Sequence, residues 1–129
     1  MAGWAGAGAV AAGFVAIVLG SFIVDEVLHL LGVYPPWSEP LYDTKLLVLA
    51  TAYRAVITLG GGWLTARLAP RTPMRYVQIL AGLGLLGGIA GIAGAATHQP
   101  SLGPLWYPIA VAVTGPPAAL WGGSLLSRR

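Results

Sequence analysis

The sequence predicts an all-α protein: a four-helix transmembrane bundle with its N- and C-termini both on the cytoplasmic side. Three observations carry that reading. Of 129 residues, 57% are hydrophobic and 9% charged, leaving too few polar side chains to coat a water-soluble globule. Four apolar stretches reach the length of roughly 20 residues needed to cross the hydrocarbon of a bilayer. Basic residues gather in one connector and at the C-terminus, the pattern that marks a cytoplasmic face.

The first span is expected over 10–31. Its leader MAGWAGAGAVAAG lacks the basic n-region of a secretory signal, and the apolar run continues past any cleavage site, so the span is read as retained. The connector GVYPPWSEPLYDTK follows, with prolines that stop helices at a water interface. The second span, 46–68, leads into APRTPMRY, a connector surrounded by Arg67, Arg71 and Arg75. The third, 77–96, ends at THQPSLGP, and the fourth, 105–126, runs up to Arg128 and Arg129. One membrane domain therefore accounts for 1–129. The first and third connectors together hold only Lys45, which assigns them to the outer side. Aromatic residues give an independent level. Tyr34, Trp37, Tyr42, Trp106 and Tyr107 fall at the outer interface, Trp4, Trp63, Tyr76 and Trp121 at the inner one, and Tyr53 alone is out of place. Short connectors imply that consecutive helices pack antiparallel. Both halves run in-out-in without a residue-level repeat.

The same features exclude functions. A net charge of +3 from seven Lys and Arg flanking apolar runs reads as topology, so no nucleic-acid partner is expected. With no cysteine, disulfides, thiolate nucleophiles, Cys-held metals and iron-sulfur clusters are ruled out.

Four ionisable residues fall at membrane depth, where charge is costly and faces protein or a wet cavity: Asp25, Glu26, His29 and Arg54. At about 1.5 Å per residue, Asp25 lies roughly 10 Å below the outer end of helix 1, and Arg54 roughly 13 Å below Lys45 on helix 2. A pair between the two helices is geometrically reasonable. Ser21, Asp25 and His29 recur every four residues on one face, with Glu26 on its flank. On helix 2, Asp43, Thr51, Arg54, Thr58, Gly61 and Thr65 share a stripe, and two such stripes most economically face each other or a common interior. Two carboxylates against one arginine leave a charge to resolve. Protonated His29, a carboxyl held neutral, or a bound cation would each resolve it. The first makes the cluster a packing network; the others make it a proton or cation site.

Helix 3 reads GLGLLGGIAGIAG and places Gly84, Gly87, Gly88 and Gly91 in small-xxx-small ribbons that allow close helix packing or an oligomer seam. Helix 4 holds Gly115, Pro116 and Pro117 halfway across, where two missing backbone donors predict a kink or break near the depth of Arg54. The DEVLH run lacks a third well-placed ligand and is not the HExxH of zinc hydrolases; His29 and His98 both lie towards the outer side, and a haem- or metal-dependent membrane enzyme on that pair is the minor alternative. Neither metal nor cofactor is expected, and no catalytic nucleophile-base pair can be assembled.

Three stretches, LYDTKLLVLATAYRAV, GGWLTARLAPRTPMR and LWYPIA, resemble a group of short bacterial multipass membrane proteins. That resemblance covers most of the chain from the end of helix 1 and implies a location in a bacterial inner membrane; it implies no activity. Small multidrug-resistance transporters are similar in size, but here the acids lie close to the outer end of helix 1 and helix 2 carries an arginine. Fluoride channels are similar in length, but their phenylalanine-rich and Asn-containing core motifs do not occur in this sequence. The expected function is movement of a proton, ion or small solute through a polar interior between helices 1, 2 and 4. The alternative is a non-catalytic subunit or scaffold. The expected partners are the lipid bilayer and a homo-oligomer or other membrane subunits.

Overall fold

The computed structural model describes residues 2–35, 42–97 and 103–127, with side chains over 5–35, 42–97 and 103–126. Trp37, His98, Arg128, Arg129 and the side chain of Trp4 lie outside the described residues. Among those described, the chain forms four α-helices, α1 (Ala2–Leu30), α2 (Thr44–Leu68), α3 (Pro73–Thr97) and α4 (Trp106–Ser127). Each is long and apolar enough to cross a membrane. Val15, Phe22, Val56, Leu86, Val113 and Trp121 all stand exposed on the outside of the bundle, an apolar surface suited to lipid.

The helices outrun the expected spans, most of all α1, which begins eight residues before position 10. The residues before position 10 are mostly Ala and Gly, which add little apolar bulk. The alanine-rich start is helical by propensity instead, and Gly6 lets Tyr76 of α3 pack against it.

Local chemistry sets the ends. Helix α1 stops at Gly32, whose φ of 78° is the left-handed conformation that glycine adopts freely. Gly32 N–H donates to His29 O at 3.1 Å and Val33 N–H to Leu28 O at 3.0 Å, the paired bonds of a Schellman turn. That turn folds Tyr34 back under the helix end, where it is only 5% exposed. Asp43 caps α2 by accepting from the backbone N–H of Lys45 at 3.0 Å and Leu46 at 3.4 Å. Pro73, with no N–H to satisfy, opens α3.

Helix α4 is not broken at Gly115, Pro116 and Pro117; it runs unbroken from Trp106 to Ser127. The two prolines leave the carbonyls of Ala112 and Val113 without their helical donors. Thr114 does not replace them, since its hydroxyl donates to Ala110 O at 2.8 Å and Val111 O at 3.4 Å. Continuity comes from packing against α2 and α3 on either side.

Neighbours around the bundle run α1, α2, α4, α3, with α2 packed more extensively on α4 than on either helix it follows or precedes. The expectation that consecutive helices pair therefore holds for α1 with α2 and α3 with α4, and only weakly for α2 with α3. Close approach comes mainly from glycines outside the α3 ribbons. A Cβ on Gly62 would collide with the backbone of Ala119, and one on Gly122 with the backbone of Leu59. Gly13 and Gly61 bring α1 and α2 together in the same way, and Thr65, fully buried, donates from α2 to Ala9 O of α1 at 2.9 Å. Of Gly84, Gly87, Gly88 and Gly91 on α3, only Gly88 is in close contact, against Ala112; a Cβ on any of the other three would meet nothing within 4 Å.

The two ends of the bundle differ. Towards the 69–72 connector, here the basic end, Val10, Val77, Leu80, Ala81 and Ala119 form a packed core. Towards Tyr34 and Tyr107, the tyrosine end, α1 and α3 part.

Candidate functional site

Asp25 is the hub of the tyrosine end. It sits on the face of α1 turned to α2 and is 9% exposed. One carboxylate oxygen accepts from the Tyr53 hydroxyl and the other from Arg54 Nη2, forming an ion pair between neighbouring helices. Tyr53 and Arg54 are adjacent on α2, so one turn delivers both donors. Arg54 Nε donates to the Tyr107 hydroxyl of α4 at 2.8 Å. Tyr34 and Tyr53 hydroxyls lie 3.0 Å apart. Because the single hydroxyl hydrogen of Tyr53 goes to the carboxylate, Tyr34 is the donor in that pair. Burial raises the Tyr34 phenol above its ordinary value while the bond to Tyr53 acts to lower it, so it stays neutral at physiological pH. The result is a directed chain, Tyr34 to Tyr53 to Asp25 and back through Arg54 to Tyr107, linking α1, its terminal turn, α2 and α4.

The expected pairing of Asp25 with Arg54 is present, and the charge question has a different form from the one posed by sequence. The pair is one to one. Glu26 is half-buried on the flank of α1, as its helical angle required, and Arg54 is committed to Asp25. His29 turns its ring to the backbone rather than the carboxylate, with Nδ1 2.6 Å from Asp25 O. A carbonyl only accepts, so Nδ1 carries the hydrogen. The imidazole also meets the Tyr34 ring edge-on, at 5.1 Å between centroids.

The polar stripes divide. Ser21 is buried on α1. Thr51 and Thr58 donate to their own helix, to Leu47 O at 2.9 Å and Arg54 O at 2.7 Å, so of the three threonines on the stripe only Thr65 ties α2 to α1. Three residues of the cluster, Tyr34, Tyr53 and Tyr107, were not read as site residues. Tyr53 carried the available signal, an interface residue type stranded at the depth of an arginine.

Below the cluster lies a cavity of about 480 Å³. Phe14, Ile17 and Val18 of α1, Leu83, Gly84, Gly87 and Gly91 of α3, and Val111 and Ala119 of α4 supply its apolar wall. Arg54, Thr58, Tyr107 and Thr114 supply its polar groups. The expected polar interior is thus mainly apolar, with a polar end. Gly115 and Pro116 line it as well, within a helix that does not break there. Its volume falls within the range of about 300 to 1,000 Å³ typical of small-molecule sites. Phe14, Val18 and Leu83 both line it and stand exposed, which marks its rim between α1 and α3. Among the described residues, no three His, Asp or Glu side chains converge as metal ligands would.

Fold and site together define a small multipass membrane protein with an ion-paired, tyrosine-bonded cluster at one end of a largely apolar cavity. No family model, curated protein or solved structure matches the chain.

Proposed function

We propose that this protein moves a small amphipathic solute through the cavity between its two helical hairpins, with the Asp25–Arg54 pair as the element that opens and closes the polar end. The supporting observation is that Arg54 belongs to both structures: it closes the ion pair and lines the cavity. A change in the pair, by a solute competing for Arg54, is therefore a change in the cavity wall. The apolar lining favours a solute with an apolar body over a bare ion, which needs polar groups along its whole path. The positive-inside bias of Arg67, Arg71 and Arg75 sets the basic end and both termini in the cytoplasm, and a bacterial inner membrane is the matching location.

The test is leaflet-to-leaflet transfer of an NBD-labelled fatty alcohol in proteoliposomes, followed by dithionite quenching, with pyranine reporting protons in parallel. Transfer above protein-free liposomes is expected, reduced at least tenfold by the Asp25→Asn, Glu26→Gln double variant. Unchanged transfer in a folded double variant would overturn the proposal.

A second reading, a non-catalytic subunit or scaffold, draws on two observations. The ion pair and its bonds to Tyr53 and Tyr107 are made within the chain, and the tyrosine-end half of α3 is exposed with glycines in open space. Native mass spectrometry from the source membrane separates the readings, since a stoichiometric partner subunit favours the second.

A further inference from the structure

The polar end of the cavity offers two free donors, from Tyr107 and Arg54. Tyr107 oxygen accepts from Arg54 Nε, and arginine cannot accept in return, so the phenolic hydrogen of Tyr107 remains to be given elsewhere. Arg54 spends Nε on Tyr107 and one Nη2 hydrogen on Asp25, which leaves the Nη1 amino group without a partner among the described residues. Both side chains line the cavity. The hydroxyl hydrogens of the other two polar lining residues, Thr58 and Thr114, are already given to backbone carbonyls. Charge is balanced, because Asp25 neutralises Arg54 at contact. An occupant therefore meets two free donors, on Tyr107 and Arg54, together with threonine oxygens that can accept, beside a charge-balanced pair.

The rest of the cavity specifies the body of that occupant. Its walls are Phe14, Ile17, Val18, Leu80, Leu83 and Val111, and the ribbon Gly84, Gly87 and Gly91 adds surface without side chains. The mouth opens sideways. Helices α1 and α3 touch at Gly6 with Tyr76 and at Gly13 with Leu80, both near the basic end, and the cavity occupies the space where they part. In a bilayer that gap faces acyl chains.

We infer that the cavity binds a neutral, membrane-dissolved lipophile with a hydrogen-bond-accepting oxygen at one end, a long-chain alcohol, ester or comparable carbonyl compound. The oxygen accepts from Tyr107 and Arg54, and the tail lies along the glycine face of α3 and leaves between α1 and α3. The inference rests on the proposed solute pathway for its site and adds the ligand class and the lateral route.

Photoaffinity labelling reads binding without requiring transport. The protein in lipid nanodiscs is labelled with a diazirine-bearing hexadecanol, with 1-hexadecanol, palmitate at pH 8 and hexadecane as competitors. Labelled peptides are expected to carry Phe14, Ile17 or Leu83, and 1-hexadecanol is expected to protect them at concentrations at least tenfold below palmitate or hexadecane. Gly87→Leu, whose side chain enters open space and fills the cavity, should abolish the protectable labelling while keeping the thermal midpoint. Tyr107→Phe should raise the protecting concentration five- to tenfold, about what one hydrogen bond contributes. Equal protection by hexadecane, or no effect of Tyr107→Phe in a folded protein, overturns the ligand class. Labelling that Gly87→Leu leaves intact overturns the site. Protectable labelling without transfer in proteoliposomes keeps this inference and overturns the transport reading alone.

Discussion

At the scale of single residues, the structure is organised by one carboxylate. Asp25 holds two charge-assisted hydrogen bonds from α2 in a low-dielectric setting, so the loss of one partner leaves the other charge stranded. Asp25→Ala is expected to destabilise by about 3–5 kcal/mol, the usual cost of breaking a buried pair from one side. Tyr53→Phe removes a hydrogen bond to a charged group and should cost about 1.5–3 kcal/mol. Tyr34→Phe removes a neutral bond and should cost about 0.5–1.5 kcal/mol. SDS-induced unfolding in mixed micelles measures all three, and a reversed order would contradict the donor sequence drawn from Tyr34 through Tyr53 to Asp25. Asp25 and Arg54 were legible as a pair because ionisable residues at membrane depth are rare and helical rise fixes their levels. The tyrosines were not, because a phenol is ordinary at an interface and its hydroxyl partner depends on which helix lies opposite.

At the scale of elements, glycine content and glycine function separate. Helix α3 has the denser small-residue pattern, yet apart from Gly88 against Ala112 the close helix crossings use glycines on α1, α2 and α4, among them Gly13, Gly61, Gly62 and Gly122. A small-xxx-small ribbon permits close approach; it does not encode which neighbour arrives. That depends on helix order, and the placement of α2 beside α4 leaves no trace in local periodicity. Gly62→Ala and Gly122→Ala, whose Cβ atoms would press on opposing backbone, should each cost about 1–3 kcal/mol. Gly87→Ala, with open space around it, should stabilise by about 0.5–1 kcal/mol through helix propensity alone. Thermal melts of the three variants check the contrast, and similar losses in all three would contradict the open glycine face. The two prolines of α4 carry a related lesson. Their missing donors are real, but flanking helices hold α4 straight enough to stay continuous, a tertiary effect that local sequence does not contain.

At the scale of the whole molecule, the bundle is tight at its basic end and open at its tyrosine end. That gradient puts the ion pair and the cavity on the same side of the core. The four spans and the basic connector were read directly from composition, because the bilayer imposes length and charge rules on each segment separately. The cavity was not, since it arises from the divergence of α1 and α3, which are far apart in sequence. Orientation has a simple test in a chain without cysteine. A membrane-impermeant maleimide should label Tyr42→Cys in intact cells and Arg71→Cys only after permeabilisation; the opposite pattern would invert the assignment. The most direct measurement of the central claim is a high-resolution map of the protein in a lipid nanodisc. A lateral solute site predicts elongated density between α1 and α3 that ends at Tyr107 and Arg54, and its loss in Gly87→Leu. Helices α1 and α3 closed against each other along their full length, with no space beneath the Asp25–Arg54 pair, would contradict it.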